Sequence, residues 1–156
     1  MTIAQELKLK QELSSPRHEA LLGLLRTAQI VTKIGERFFG EFGITMSQYN
    51  ILIILRDYPE GLSQSALSER QLVNRSNITG LVDRMEKAGL VERQPHPTDR
   101  RSYLVRLTGA GDALVERVEP YYIDEVERVM GSLEEQEARS LARMLEAVRS
   151  AVREEF

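Results

Sequence analysis

The sequence predicts a mainly α-helical protein with a small β-hairpin, and three observations carry that expectation. Apolar residues recur at three- and four-residue spacing along most of the chain. The period shortens to two only around residues 91–107. Residues that cap helices stand at the start of the periodic runs. With 156 residues, 42% hydrophobic and 29% charged, the chain can bury a core without disulfide or metal. A single domain over 1–156 is expected.

The elements follow in order. Ser15 and Pro16 read as an N-cap and first helical residue, because proline's fixed φ and missing N–H suit that position. Leu21, Leu24, Leu25, Ala28, Val31, Ile34 and Phe38 then mark one helical stripe ending near Gly40. Thr45 with Gln48 is a capping box opening a second helix, stopped by Pro59-Glu60-Gly61. Ser63 caps a short third helix. Asn74 caps a fourth, whose Ile78, Leu81, Val82 and Met85 share one face before Gly89. Val91–Gln94 and Ser102–Leu107 read as strands, with Pro95-His96-Pro97-Thr98 as their loop. Thr108 caps a fifth helix reaching Met130, which Pro120 should kink or split. Ser132 with Glu135 forms a second capping box, opening a last helix with Leu141, Met144, Leu145, Val148 and Val152 on one stripe.

Composition narrows the chemistry. The absence of cysteine excludes disulfide scaffolds, thiol catalysis and thiol redox sensing. His18 and His96 lie far apart and match no zinc-ligand spacing, so neither metal nor cofactor is expected. The longest aliphatic run is Ile51–Leu55, too short to span a bilayer, and residues 1–13 show no secretory pattern. A cytoplasmic protein with no membrane partner is expected. No phosphate loop or nucleophile–base constellation stands out, so no enzymatic activity is expected. The net charge of −3 is uneven along the chain. Residues 63–107 hold eight basic against five acidic side chains, whereas residues 108–156 hold six against twelve.

That basic segment contains two short helices followed at once by a hairpin, the plan of a winged helix-turn-helix. On the fourth helix the sector opposite the apolar face holds Ser76, Gly80, Asp83 and Lys87, flanked by Asn77, Thr79 and Arg84. A helix entering the major groove needs small residues for close approach and hydrogen-bonding side chains beside them. Arg75 and the helix N-terminus suit phosphates. In the hairpin loop Asp99 and Arg101 project to the same side of an extended chain. The carboxylate can therefore hold the guanidinium in one rotamer, ready for a narrow minor groove.

The segment LSERQLVNRSNITGLVDRMEKAGLVER (67–93), followed by DRRSYLVRLTGAG (99–111), resembles the multiple-antibiotic-resistance regulator (MarR) family. The likeness covers about residues 45–112. It departs at Gln71 and Leu72, where relatives favour an aliphatic residue and glycine. The resemblance implies a winged helix-turn-helix lobe (45–107) flanked by N- and C-terminal dimerisation helices (1–44 and 108–156). It implies a homodimer on a pseudo-palindromic double-stranded DNA operator, contacting it through Arg75, Ser76, Asn77, Thr79 and Arg84, with Arg101 in the minor groove. The implied function is a transcriptional regulator, usually a repressor, released by a small aromatic or anionic effector. Arg26, Phe38 and Tyr49 are candidate pocket residues, although a dimer interface or a core uses the same residue types. An effector-independent architectural DNA-binding protein is the alternative, separated by whether ligands shift the melting temperature.

Overall fold

The computed structural model describes residues 2–10, 13–70, 78–97 and 102–152. The chain divides into two compact units, residues 1–115 and 116–156. Its elements are α1 (Ile3–Glu6), α2 (Pro16–Glu41), α3 (Met46–Arg56), β1 (Leu62–Ser63), α4 (Gln64–Arg70), α5 (Ile78–Lys87), β2 (Val91–Pro95), β3 (Tyr103–Leu107), α6 (Gly109–Met130) and α7 (Glu135–Val152). The fold is mostly helical with one small antiparallel sheet, as the periodicity predicts.

Local chemistry sets most of the boundaries. The Ser15 hydroxyl accepts from His18 N–H, and Pro16 opens α2. Thr45 and Gln48 bond reciprocally at the start of α3, and Ser63 caps α4 by accepting from Ala66 N–H at 3.2 Å. Asn74, the predicted cap of α5, lies outside the described residues. α1 is an element the sequence reading missed. Its Thr2–Gln5 capping box follows the same Thr-x-x-Gln pattern as Thr45–Gln48.

The sheet is larger than the predicted hairpin. β1 joins β3, giving the order β1-β3-β2, with Leu62 opposite Val105 and Val91 opposite Leu107. Gly61 enters β1 with φ +86, and a Cβ there would lie 2.7 Å from the Val105 carbonyl oxygen. Pro95 corrects the loop assignment: it closes β2 opposite Tyr103. β2 is an edge strand, so the N–H that proline lacks is not demanded by a second neighbour. The His96 N–H donates to the Ser102 carbonyl one step beyond.

Pro120 does not split its helix; α6 runs unbroken from Gly109 to Met130. The last helix begins later than predicted. The Glu134 N–H donates to the Glu137 carboxylate at 2.8 Å, so the side-chain cap sits two residues beyond the expected Ser132–Glu135 pair. Glu134, Glu135 and Glu137 offer competing registers here, and this one adds a carboxylate at the positive helix end.

The core of the first unit is built around α3, whose Ile51, Leu52 and Leu55 are fully buried. Leu67 of α4, Val82 and Met85 of α5, and Val91 and Val105 of the sheet close it. Each such side chain stabilises by about 1.5–3 kcal/mol. α7, in the second unit, has no buried residue, and Met144, Val148 and Val152 on its stripe are exposed. Among the described residues no single helix is long and apolar enough to cross a membrane.

Candidate nucleic-acid interface

α5 sorts its side chains into three stripes, as a 3.6-residue period requires. Ile78, Leu81, Val82 and Met85 turn toward the core; the last three are buried. Thr79, Asp83 and Glu86 form a second stripe, held by the rest of the lobe. The Thr79 hydroxyl donates to Gln64 Oε1 on α4 at 2.9 Å. Arg93 of β2 donates to both carboxylates: Nη2 reaches Asp83 at 2.5 Å, Nη1 reaches Glu86, and the Arg93 backbone N–H also donates to Glu86 at 3.1 Å. Burial alone would lower the Arg93 pKa, but hydrogen bonds and charge from the two carboxylates outweigh it and raise it. The third stripe is Gly80, Arg84 and Lys87, and both cations are exposed. Arg84 and Lys87 thus place two solvent-facing cations one turn apart on α5.

The hairpin is fastened on both faces. Arg93 and Val105 share the face toward α5 because they are register partners. On the other face Arg106 donates to Gln94 Oε1 at 2.9 Å and to the Pro59 carbonyl at 3.0 Å. Gln94 in turn donates to Glu92. The Thr108 hydroxyl donates to the Gly89 carbonyl and accepts from Gly111 N–H, tying the start of α6 to the turn between α5 and β2.

Of the predicted DNA contacts, Thr79 and Arg84 are described, and both are exposed on α5. Arg75, Ser76, Asn77, Asp99 and Arg101 lie outside the described residues. Lys87 belongs beside Arg84 at helical spacing. Arg93 is the residue sequence reasoning missed; its signal was an acidic i, i+3 pair followed by an arginine just past a Gly89 turn.

The three candidate pocket residues are spread along the first unit. Tyr49 is buried with its ring 4.8 Å from that of Phe39, and half-buried Phe38 packs on Phe39 and Phe42. Arg26 pairs with Glu6 of α1 at 2.6 Å. It lies twelve residues before Phe38 on the same helix, roughly 18 Å along the axis. Among the described residues no group of three or more histidine, aspartate or glutamate side chains is gathered to hold a metal.

A helix with an open basic stripe, clamped to an antiparallel ribbon, defines a winged-helix DNA-binding protein. The sequence model of the MarR family matches residues 44–103. A MarR transcription factor from Planctomyces limnophilus is 36% identical, with a TM-score of 0.67 over 87% of this chain and 99% of that one. The HTH-type transcriptional repressor YetL of Bacillus subtilis is 29% identical over 81% of this chain and 77% of its own. BpsR of Bordetella bronchiseptica, whose DNA binding is regulated by 6-hydroxynicotinic acid, is 26% identical. It superposes with a TM-score of 0.71 over 80% of this chain and 94% of that one. The chain belongs to the MarR family and is a DNA-binding transcriptional regulator.

Proposed function

We propose that the protein is a homodimeric repressor that reads a pseudo-palindromic operator and is released by a small aromatic or anionic ligand. The observation carrying the dimer is α7, an 18-residue helix with no buried residue and an exposed aliphatic stripe. Such a stripe is an interaction surface on a soluble chain. Each protomer offers the lobe 45–107, with residues 1–44 and 108–156 forming the dimer. Arg75, Ser76, Asn77 and Arg84 are assigned to the major groove, with Thr79 at the flank where its hydroxyl meets Gln64, while Asp99 braces Arg101 for the minor groove. Phe38, half-buried at the edge of the ring cluster, is where an aromatic ligand would stack. The regulation of BpsR by an aromatic acid supports that chemistry.

The test is affinity for a duplex selected from a random pool, and for a scrambled duplex, across a salt series. Arg101→Ala should weaken both and lower the salt slope by about one unit. Asn77→Ala should cost roughly 1–3 kcal/mol on the selected duplex and little on the scrambled one. An Arg101→Ala protein with unchanged affinity and slope refutes the wing. For the ligand, a panel of aromatic carboxylates should raise the melting temperature and release DNA, and Phe38→Ala should lose the response. A panel that does neither removes the effector from the function.

A further inference from the structure

A helix that approaches DNA should not carry uncompensated carboxylates, yet α5 has two among its ten residues, Asp83 and Glu86. Both remain partly exposed at the side chain, 48% and 39%, so neither is hidden from a bound polyanion by burial. Their stripe lies beside that of Arg84 and Lys87, on the flank of α5 toward the hairpin. One guanidinium, only 18% exposed, engages both of them. It comes from β2, and the backbone N–H of the same residue holds Glu86 as well.

We propose that Arg93 is the built-in counterion of α5: by engaging Asp83 and Glu86 together it offsets their repulsion of phosphate and leaves Arg84 and Lys87 to set the field at the DNA. Arg93 is a positioning residue and does not itself touch DNA. Its place is fixed by β-sheet register, since it stands opposite Val105 on the face turned to α5. The field of α5 therefore depends on a side chain outside that helix. A phosphate within a Debye length of the stripe, about 10 Å at 0.1 M salt, senses the sum of these charges.

The inference rests on the reading of α5 as the helix that meets DNA, and Arg84→Ala tests that reading separately. The probe is a mixed-sequence 30-base-pair duplex, whose binding depends on charge rather than base identity. Binding is measured from 50 to 200 mM salt, with thermal unfolding recorded for each variant. Arg84→Ala should lower the salt slope by about one unit; if it does not, α5 is not the DNA-facing helix. Arg93→Gln leaves two carboxylates uncompensated and should weaken binding about tenfold at 50 mM salt. The double variant Asp83→Asn, Glu86→Gln keeps the hydrogen-bond acceptors and frees the arginine's charge, and should bind about tenfold tighter than the wild type. Adding Arg93→Gln to that pair should restore at least wild-type affinity. A purely structural clamp makes the opposite prediction, because the neutral pair loosens the same contact. Weaker binding by the double variant, or failure of the triple variant to recover, overturns the proposal. Should Arg93→Gln fail to fold, the double variant alone decides.

Discussion

Gly111→Ala is expected to destabilise the protein by about 3 kcal/mol, the upper part of the range for forcing atoms into a packed site. A Cβ at residue 111 would lie 2.2 Å from the Leu90 carbonyl oxygen and 2.7 Å from Leu107 Cδ1. The first of these neighbours is backbone and cannot swing aside. It is also in use, because the Leu90 carbonyl accepts from the Thr108 N–H at 3.2 Å. Two residues earlier in the same helical turn, a Cβ on Gly109 meets nothing within 4 Å. Gly109→Ala is thus the matched control, with the same gain in helix propensity and no clash. At about 2–4 °C per kcal/mol, Gly111→Ala should melt roughly 6–12 °C lower, while Gly109→Ala stays within a degree or two of the wild type. Equal melting temperatures for the two variants would mean that the α6 start and the α5–β2 turn are not held in register by this contact.

The same contact shows why the Leu-Thr-x-x-Gly stretch is legible as a motif but not as a mechanism. Thr108 is recognisable as a cap because its bond to Gly111 N–H spans three residues. Its other bond, to the Gly89 carbonyl, spans nineteen and has no signature in spacing. Caps at Ser15, Thr45 and Ser63 were readable for the same local reason. β1 was not, since its two residues are strand only through Leu104 and Val105, some forty positions away. Proline's missing donor places Pro95 in the loop by sequence, but whether a donor is needed depends on which strand lies at the edge. On α5 the apolar face was readable from periodicity. The division of its polar side into a held stripe and an open one was not, because Gln64 and Arg93 reach it from other elements. The pairing of Arg26 with Glu6 joins two helices across twenty positions, and so leaves no mark in local spacing.

Val148→Asp is expected to dissociate the homodimer proposed above and to abolish its tight binding to a two-half-site duplex. Met144, Val148 and Val152 follow at four-residue intervals on α7, with exposures of 59%, 51% and 44%, and form one continuous aliphatic edge. Leu133, Leu141 and Met144 line a shallow groove of about 360 Å³ on the same helix region. Val148 lies one helical turn beyond Met144, in the middle of the edge. In a two-fold dimer the substitution enters twice, and each carboxylate must give up water on association. At roughly 2–3 kcal/mol per uncompensated carboxylate, the pair should raise the dimer dissociation constant by at least about a thousandfold. Losing the second half-site then removes the effective concentration that links two lobes, lowering affinity for a two-half-site duplex by about 10²–10⁴. Affinity for a single half-site should stay within a factor of two. Glu146→Gln, on the exposed polar side of the same helix, should leave all three quantities unchanged. Sedimentation equilibrium beside binding to one- and two-half-site duplexes measures each. A Val148→Asp protein that remains dimeric at micromolar concentration would show that the α7 edge is not the surface through which two protomers meet.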